Sequence, residues 1–148
     1  MGRRSRPRKN RASQLIDSFS DWLDHMRHAS VIYPILVAHD KEKHELESFD
    51  IQNIVVLHKP EDKIIRSLHT LIKKRKLKPT VILMMPVDKR SEKHYHQIKN
   101  LIEQHGLTVN GRFRKFLYTL DIKDLSGLRK YLEKHITLSI RRDVFGLS

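Results

Sequence analysis

Val81-Ile82-Leu83-Met84-Met85 is the stretch that decides the fold. Its five apolar residues run on without polar alternation, so the strand they form must be covered on both faces. That requirement predicts a mostly parallel sheet between two layers of helix. The pattern repeats upstream. Pro34-Ile35-Leu36-Val37 and Ile54-Val55-Val56-Leu57 are short apolar runs of the same kind, and a proline is tolerated at the start of a strand. Between and before these runs the apolar residues return at three and four, the spacing of a helix with one buried stripe. Leu15, Ile16, Phe19, Trp22, Leu23 and Met26 predict a first helix over 13–27, with Ser13 as its cap. Leu46 and Phe49 give the stretch DKEKHELESF helical spacing. Ile64, Ile65, Leu68, Leu71 and Ile72 predict a third helix opened by Pro60 and stopped by Pro79. Downstream, Tyr95, Ile98, Leu101 and Ile102 predict a helix over 92–104, closed by Gly106. A strand over 113–120 and a helix over 125–134 complete the expected α/β chain.

The charge is as informative as the pattern. Thirty Lys+Arg against seventeen Asp+Glu in 148 residues give a formal charge of +13. A single domain that basic repels itself unless a polyanion neutralises it, which points to phosphate-bearing nucleic acid. The rival polyanion is anionic membrane, but no run of roughly eighteen apolar residues exists to span a bilayer. The basic start leads into a charged amphipathic segment and not an apolar signal core, so secretion is not expected. The absence of cysteine removes disulfides and thiolate metal sites, and it fits a reducing, cytoplasmic setting.

The basic residues are clustered. Residues 1–12 hold Arg3, Arg4, Arg6, Arg8, Lys9 and Arg11 with no acid, and are expected to be a disordered arm that orders along phosphates. Further clusters are Lys73-Lys74-Arg75-Lys76 with Lys78, Lys89-Arg90, Arg112 with Arg114 and Lys115, and Arg141-Arg142. Lys73 to Lys78 could equally serve the C-terminal dipole of their own helix. Arg112 and Arg114 alternate on the expected strand, so they are expected to share one phosphate-bearing face. No platform of exposed aromatic residues and no zinc finger is visible, so contact should be directed by phosphates and shape.

Three segments carry a family resemblance. PILVAHDKEKHELESFDIQNIVVL (34–57), VILMMPVDKRSEK (81–93) and GLTVNGRFRKFLYTLDIKDLSGLRKYLEKH (106–135) resemble, in order and spacing, the small archaeal Toprim-domain proteins. The resemblance covers roughly residues 12–135. It implies a Toprim-like, Rossmann-like domain over 13–135 behind the arm, with a C-terminal extension over 136–148. In that family the first strand ends in glutamate and glycine, and the third in an Asp-x-Asp pair. Here Ala38 and His39 stand at the first place and Pro86 at the second, so only Asp88 remains. Mg²⁺ is held by oxygen ligands that support phosphoryl transfer, and alanine and proline supply none. The resemblance therefore implies a degenerate metal site with no cofactor, while Lys89 and Arg90 beside it favour phosphate. Asp40 and Glu42 lie near, displaced from the strand end, and acids in a helix first turn are ordinary dipole partners.

Two other chemistries are weaker. His94-Tyr95-His96 with Tyr131 resembles the motifs of rolling-circle nicking enzymes, but helical spacing puts the two histidines on divergent faces. His25 and His28 lack a third ligand at recognisable spacing, and zinc needs three or four. The expectation is a noncatalytic RNA-binding protein, a ribosomal or ribosome-associated component contacting rRNA within a ribonucleoprotein. A Mg²⁺-dependent nuclease or primase-like enzyme and a DNA- or chromatin-binding protein are the alternatives.

Overall fold

The computed structural model describes residues 11–120, 125 and 128–134, with side chains from residue 17 onward. Residues 1–10 of the expected arm, with Arg3 to Lys9, and the extension 136–148 with Arg141-Arg142 lie outside the described residues. Four strands form one parallel sheet in the order β2-β1-β3-β4. They are β1 (Ile35–Val37), β2 (Ile54–Val56), β3 (Thr80–Met84) and β4 (Thr108–Asn110). Ile35 pairs with Ile54 on one side and with Ile82 on the other, and Val37 lies opposite Met84.

Among the described residues, the sheet is flanked by α1 (Arg11–Ile32), α2 (Asp40–Glu47), α3 (Asp62–Arg75), α4 (Lys89–Gln104) and the single turn α5 (Arg112–Lys115), and residues 128–134, within the expected helix over 125–134, are helical too. The continuous apolar run of β3 is explained by what it touches. Ile82 and Met84 join Ile35 and Val37 against Phe19, Trp22, Leu23 and Met26 of α1 and Leu46 of α2. Val81, Leu83 and Met85 join Leu36 against α3 and α4, where Ile64, Ile65, Leu68, Ile98 and Ile102 are buried. Both faces are buried from residue 81 onward, so neither period of that run admits a polar residue.

Two boundaries differ from the sequence expectation for local reasons. Helix α1 begins at Arg11, inside the expected arm, and continues five residues past Arg27. Ala29 and Tyr33 extend its apolar stripe, packing against the same core. Pro34, which disfavours helical backbone in the residue before it, follows its last turn. Helix α3 begins at Asp62, one residue past its cap, and not at Pro60.

The expected strand over 113–120 is wrong: α5 and a 3-10 turn, Phe116–Leu120, occupy those residues. Phe113, Phe116, Leu117 and Leu120 fall at i, i+3, i+4 and i+7, and Leu117 and Leu120 are buried in the α1 layer. The fourth strand is instead Thr108–Asn110, a three-residue edge too short and too polar to show a pattern. It is held by backbone pairing to β3 and by a 2.7 Å hydrogen bond between the hydroxyls of Thr80 and Thr108. Short edges of this kind are poor templates for pairing with a second chain.

The end of α3 contains a conformational cost. Lys76 sits at φ +54°, the left-handed region, where its N–H reaches the carbonyl of Ile72. Glycine adopts this conformation freely, whereas a side chain there costs about 1 kcal/mol. Lys76→Gly is therefore expected to stabilise the domain by about 1 kcal/mol, read as a higher urea midpoint at unchanged slope, although it removes a surface charge.

Candidate nucleic-acid interface

From β1 the chain passes to β2 on one side and later returns to β3 on the other, so α2 and α3 lie on opposite faces. The crevice beyond the C-terminal ends of β1 and β3 is the topological switch point, where sheets of this kind place their ligands. The residues singled out in the sequence converge on it: Ala38, His39 and Asp40 follow β1, and Pro86 and Asp88 follow β3.

The acids there are engaged with backbone. Asp88 caps α4, its Oδ1 accepting from the N–H of Ser91 at 2.8 Å. Glu42 is buried, and its carboxylate folds back to the end of β1, accepting from the N–H groups of Ala38 (3.2 Å) and His39 (3.0 Å). Its second oxygen accepts from the N–H of Leu125 at 3.3 Å. Among the described residues, no three His, Asp or Glu side chains converge as a metal-binding group.

Arg114 requires a correction. It is placed by sequence alternation on a phosphate-facing strand, yet it is 5% exposed and faces inward. Its Nε donates to the carbonyl of Met85 at 3.0 Å, and its Nη2 donates to the carbonyl of Pro86 at 2.7 Å and to Glu92 at 2.8 Å. The guanidinium also lies 4.0 Å from the centre of the Tyr95 ring, a favourable face for a desolvated cation. The helical spacing of Phe113, Phe116, Leu117 and Leu120 is the signal that could have separated Arg114 from Arg112. Gly111 belongs to the same arrangement: a Cβ there would stand 2.7 Å from the hydroxyl of Tyr95.

The other basic residues singled out in the sequence are exposed wherever their side chains are described. Lys73, Lys74, Arg75 and Lys76 end α3, and Lys78 follows; all five are exposed. Arg75 borders a polar cleft that Glu47 and Asp50 also line. Lys89 and Arg90 are exposed on the first turn of α4, at the lip of the crevice. Arg112 and Lys115 are exposed on α5, and Arg11 is the first residue of α1. These positions lie at different ends of the sheet: Lys78 donates its N–H to the carbonyl of Ile32, just before β1, whereas Lys89 follows the end of β3.

The three residues of the nickase-like motif separate. Tyr95 is buried, His94 pairs with Glu61 at 2.8 Å, and His96 points to Glu92 at 3.8 Å. A feature absent from the sequence reading is a cavity of about 530 Å³ between α1 and the β4–α5 edge, lined by Trp22, Tyr33, Phe113 and Phe116 with His25 and Arg112. The available signal was the continuation of the α1 stripe through Ala29 to Tyr33.

No family model and no curated protein matches the chain. A solved structure of a protein from Aquifex aeolicus, whose description names no activity, is similar to it. The likeness has a TM-score of 0.62 at 25% identity and covers 81% of this chain and 98% of that one. The chain is thus an α/β protein with an all-parallel four-stranded sheet flanked by helices. Among the described residues, no helix is long and apolar enough to cross a membrane.

The Arg114 cluster has measurable consequences. Hydrogen bonds from Arg114, then from Tyr118, hold the Glu92 carboxyl below its ordinary value of 4.5. A depressed carboxylate contributes stability that is present above its unfolded value and lost as pH falls through the folded one. Glu92→Gln should therefore flatten part of the acid limb below about pH 4.5 in urea midpoints measured against pH. Arg114→Met leaves two strand-end carbonyls without their donor and should cost about 2–4 kcal/mol at neutral pH.

Proposed function

We propose that this is a noncatalytic RNA-binding protein that grips RNA by its phosphates, with a Toprim-like fold whose acidic site is degenerate. The observation that carries the reading is the placement of Lys89 and Arg90. They stand exposed on the first turn of α4, where the positive end of the helix dipole makes cations unfavourable. Neither forms an ion pair with another described residue. Their position disfavours the helix itself, whereas Lys73, Lys74 and Arg75 at the end of α3 benefit theirs. A phosphate at this crevice would be met by both side chains.

Three observations support binding without cleavage. Ala38 and Pro86 offer no ligand oxygen from a side chain, Asp88 caps α4, and Glu42 is committed to backbone N–H groups. The guanidinium of Arg114 is bonded to the carbonyls that follow β3 and paired with Glu92, so neither it nor that carboxylate is open to a metal ion. The exposed cations face more than one direction, which suits a folded RNA touched on several sides. The proposed setting is the ribosome or a ribosome-associated particle in the cytoplasm, with rRNA as the ligand. The basic N-terminal residues and Arg141-Arg142 would extend the contact.

Binding of the full chain to rRNA fragments, followed by fluorescence anisotropy, should weaken steeply as salt rises. Lys89→Glu with Arg90→Glu should weaken it at least tenfold and reduce the log–log salt slope by about one unit per lost contact. The same double substitution places acids where the dipole favours them, so unfolding does not account for the loss. An unchanged slope would overturn the placement. Mg²⁺-dependent strand cleavage or primer synthesis that Asp88→Asn abolishes would overturn the noncatalytic reading, and tighter retention on duplex DNA than on rRNA would overturn the choice of RNA.

A further inference from the structure

The cavity between α1 and the sheet edge has a composition that core packing alone does not call for. Trp22 is buried and forms part of its wall, stacked on Phe116 at 5.5 Å with an 18° tilt between the rings. The Trp22 indole N–H donates to the carbonyl of Phe113 at 3.1 Å, which fixes the ring, and Phe113 meets it edge-on at 6.3 Å. Phe113, Phe116 and Tyr33 are only partly buried, so this aromatic wall is open to water. A preformed, rigid wall is ready to receive a flat ligand without an ordering cost.

The rim has the opposite character. Arg112 stands exposed on α5, and His25 stands exposed on α1. Asn110 accepts from the N–H of Arg112 through its Oδ1 at 2.9 Å, which leaves its amide N–H₂ as a donor toward the cavity it lines. Among the described residues, no carboxylate lines the cavity. At the Tyr33 end, the backbone bond from Lys78 to Ile32 places Lys78 beside the residue that precedes Tyr33. A ligand that suits this site has a flat aromatic body, polar edges and a negative charge on each side.

We propose that the cavity holds one unpaired RNA base, stacked on the aromatic wall, with its flanking phosphates on Arg112 and on Lys78. The volume of about 530 Å³ lies within the range of small-ligand clefts, roughly 300–1,000 Å³, and leaves room for a purine. Aromatic stacking of splayed-out bases is how single-stranded positions in folded RNA are recognised. This inference rests on the RNA-binding reading and adds to it a preference for a structural feature, an unpaired nucleotide, that phosphate contacts alone cannot supply.

Trp22 is the chain's single tryptophan, so its emission reports on the cavity directly. The full chain is titrated with an RNA hairpin carrying one bulged adenosine and with the same hairpin fully paired, read by both anisotropy and tryptophan emission. The bulged hairpin should bind about tenfold tighter and quench Trp22 saturably, while the paired one binds without quenching. Ala29→Leu fills the cavity from the α1 side and should bring the bulged hairpin down to the paired one. Arg112→Ala, at an exposed position, should weaken the bulged hairpin more than the paired one and provides a second test should Ala29→Leu not fold. Equal affinities with Trp22 unquenched would overturn the pocket and leave the RNA-binding reading standing. Failure of both hairpins and of rRNA to bind would overturn both. Quenching that persists at full strength in Ala29→Leu would also overturn the assignment to this cavity.

Discussion

The guanidinium of Arg114 is the constraint on which the functional surface depends. A parallel strand ends in carbonyls that nothing in the sheet satisfies, and β3, between β1 and β4, ends beside the switch-point crevice. Arg114 satisfies the carbonyls of Met85 and Pro86 from α5 and engages Glu92 and Tyr95 of α4 in the same step. Three elements that are separate in sequence are thereby fixed to one another. A charge buried this far is tolerated only with partners on every side, and here a carboxylate, two carbonyls and an aromatic face provide them. The orientation of α5 follows from this anchor: with Arg114 inward, its neighbours Phe113 and Arg112 turn toward α1, where they line the aromatic cavity.

The same anchor bears on the crevice. The end of β3 carries Pro86, and an internal cation is held on its backbone. Asp88 and Glu42 are acids that the sequence alone leaves available, but each is spent on the start of a helix or the end of a strand. The charge at this place is consequently set by Lys89 and Arg90, which have no carboxylate partner among the described residues. A crevice arranged in this way attracts phosphate more readily than it collects a divalent cation, since hard cations require several oxygen ligands converging at one point.

The parts of the fold legible in the sequence were those in which one physical rule dominates. Residues 81–85 and the stripes of α1, α3 and α4 are governed by burial, and burial leaves a period. Residues 113–120 do not form the expected strand, and two rules compete across 108–120. Thr108-Val109-Asn110 makes a strand through backbone pairing with β3, which leaves no side-chain signature in three residues. Arg112-Phe113-Arg114-Lys115 alternates in charge like a strand, yet its register is decided by where Phe113, Leu117 and Leu120 must pack. Of the candidate site, the surface lysines and arginines were visible because composition shows them. The inward turn of Arg114 and the assembly of an aromatic wall from residues 22, 33, 113 and 116 arise from tertiary contacts between distant segments, to which local pattern is blind.

The exposed cations differ in how well they suit the elements that carry them. Lys73, Lys74 and Arg75 complement a helix C-terminus, and Arg75 has Glu47 and Asp50 nearby. Lys89 and Arg90 work against their own helix, and Arg112 stands beside an open aromatic cavity. A formal charge of +13 on a domain this small is a standing repulsion. A sequence selected only for stability would relieve it first at the helix start, where a lysine contributes least and an acid would contribute most. Among the described residues, positive side chains occupy both the crevice lip and the rim of the aromatic cavity, where an acid would relieve the repulsion more readily.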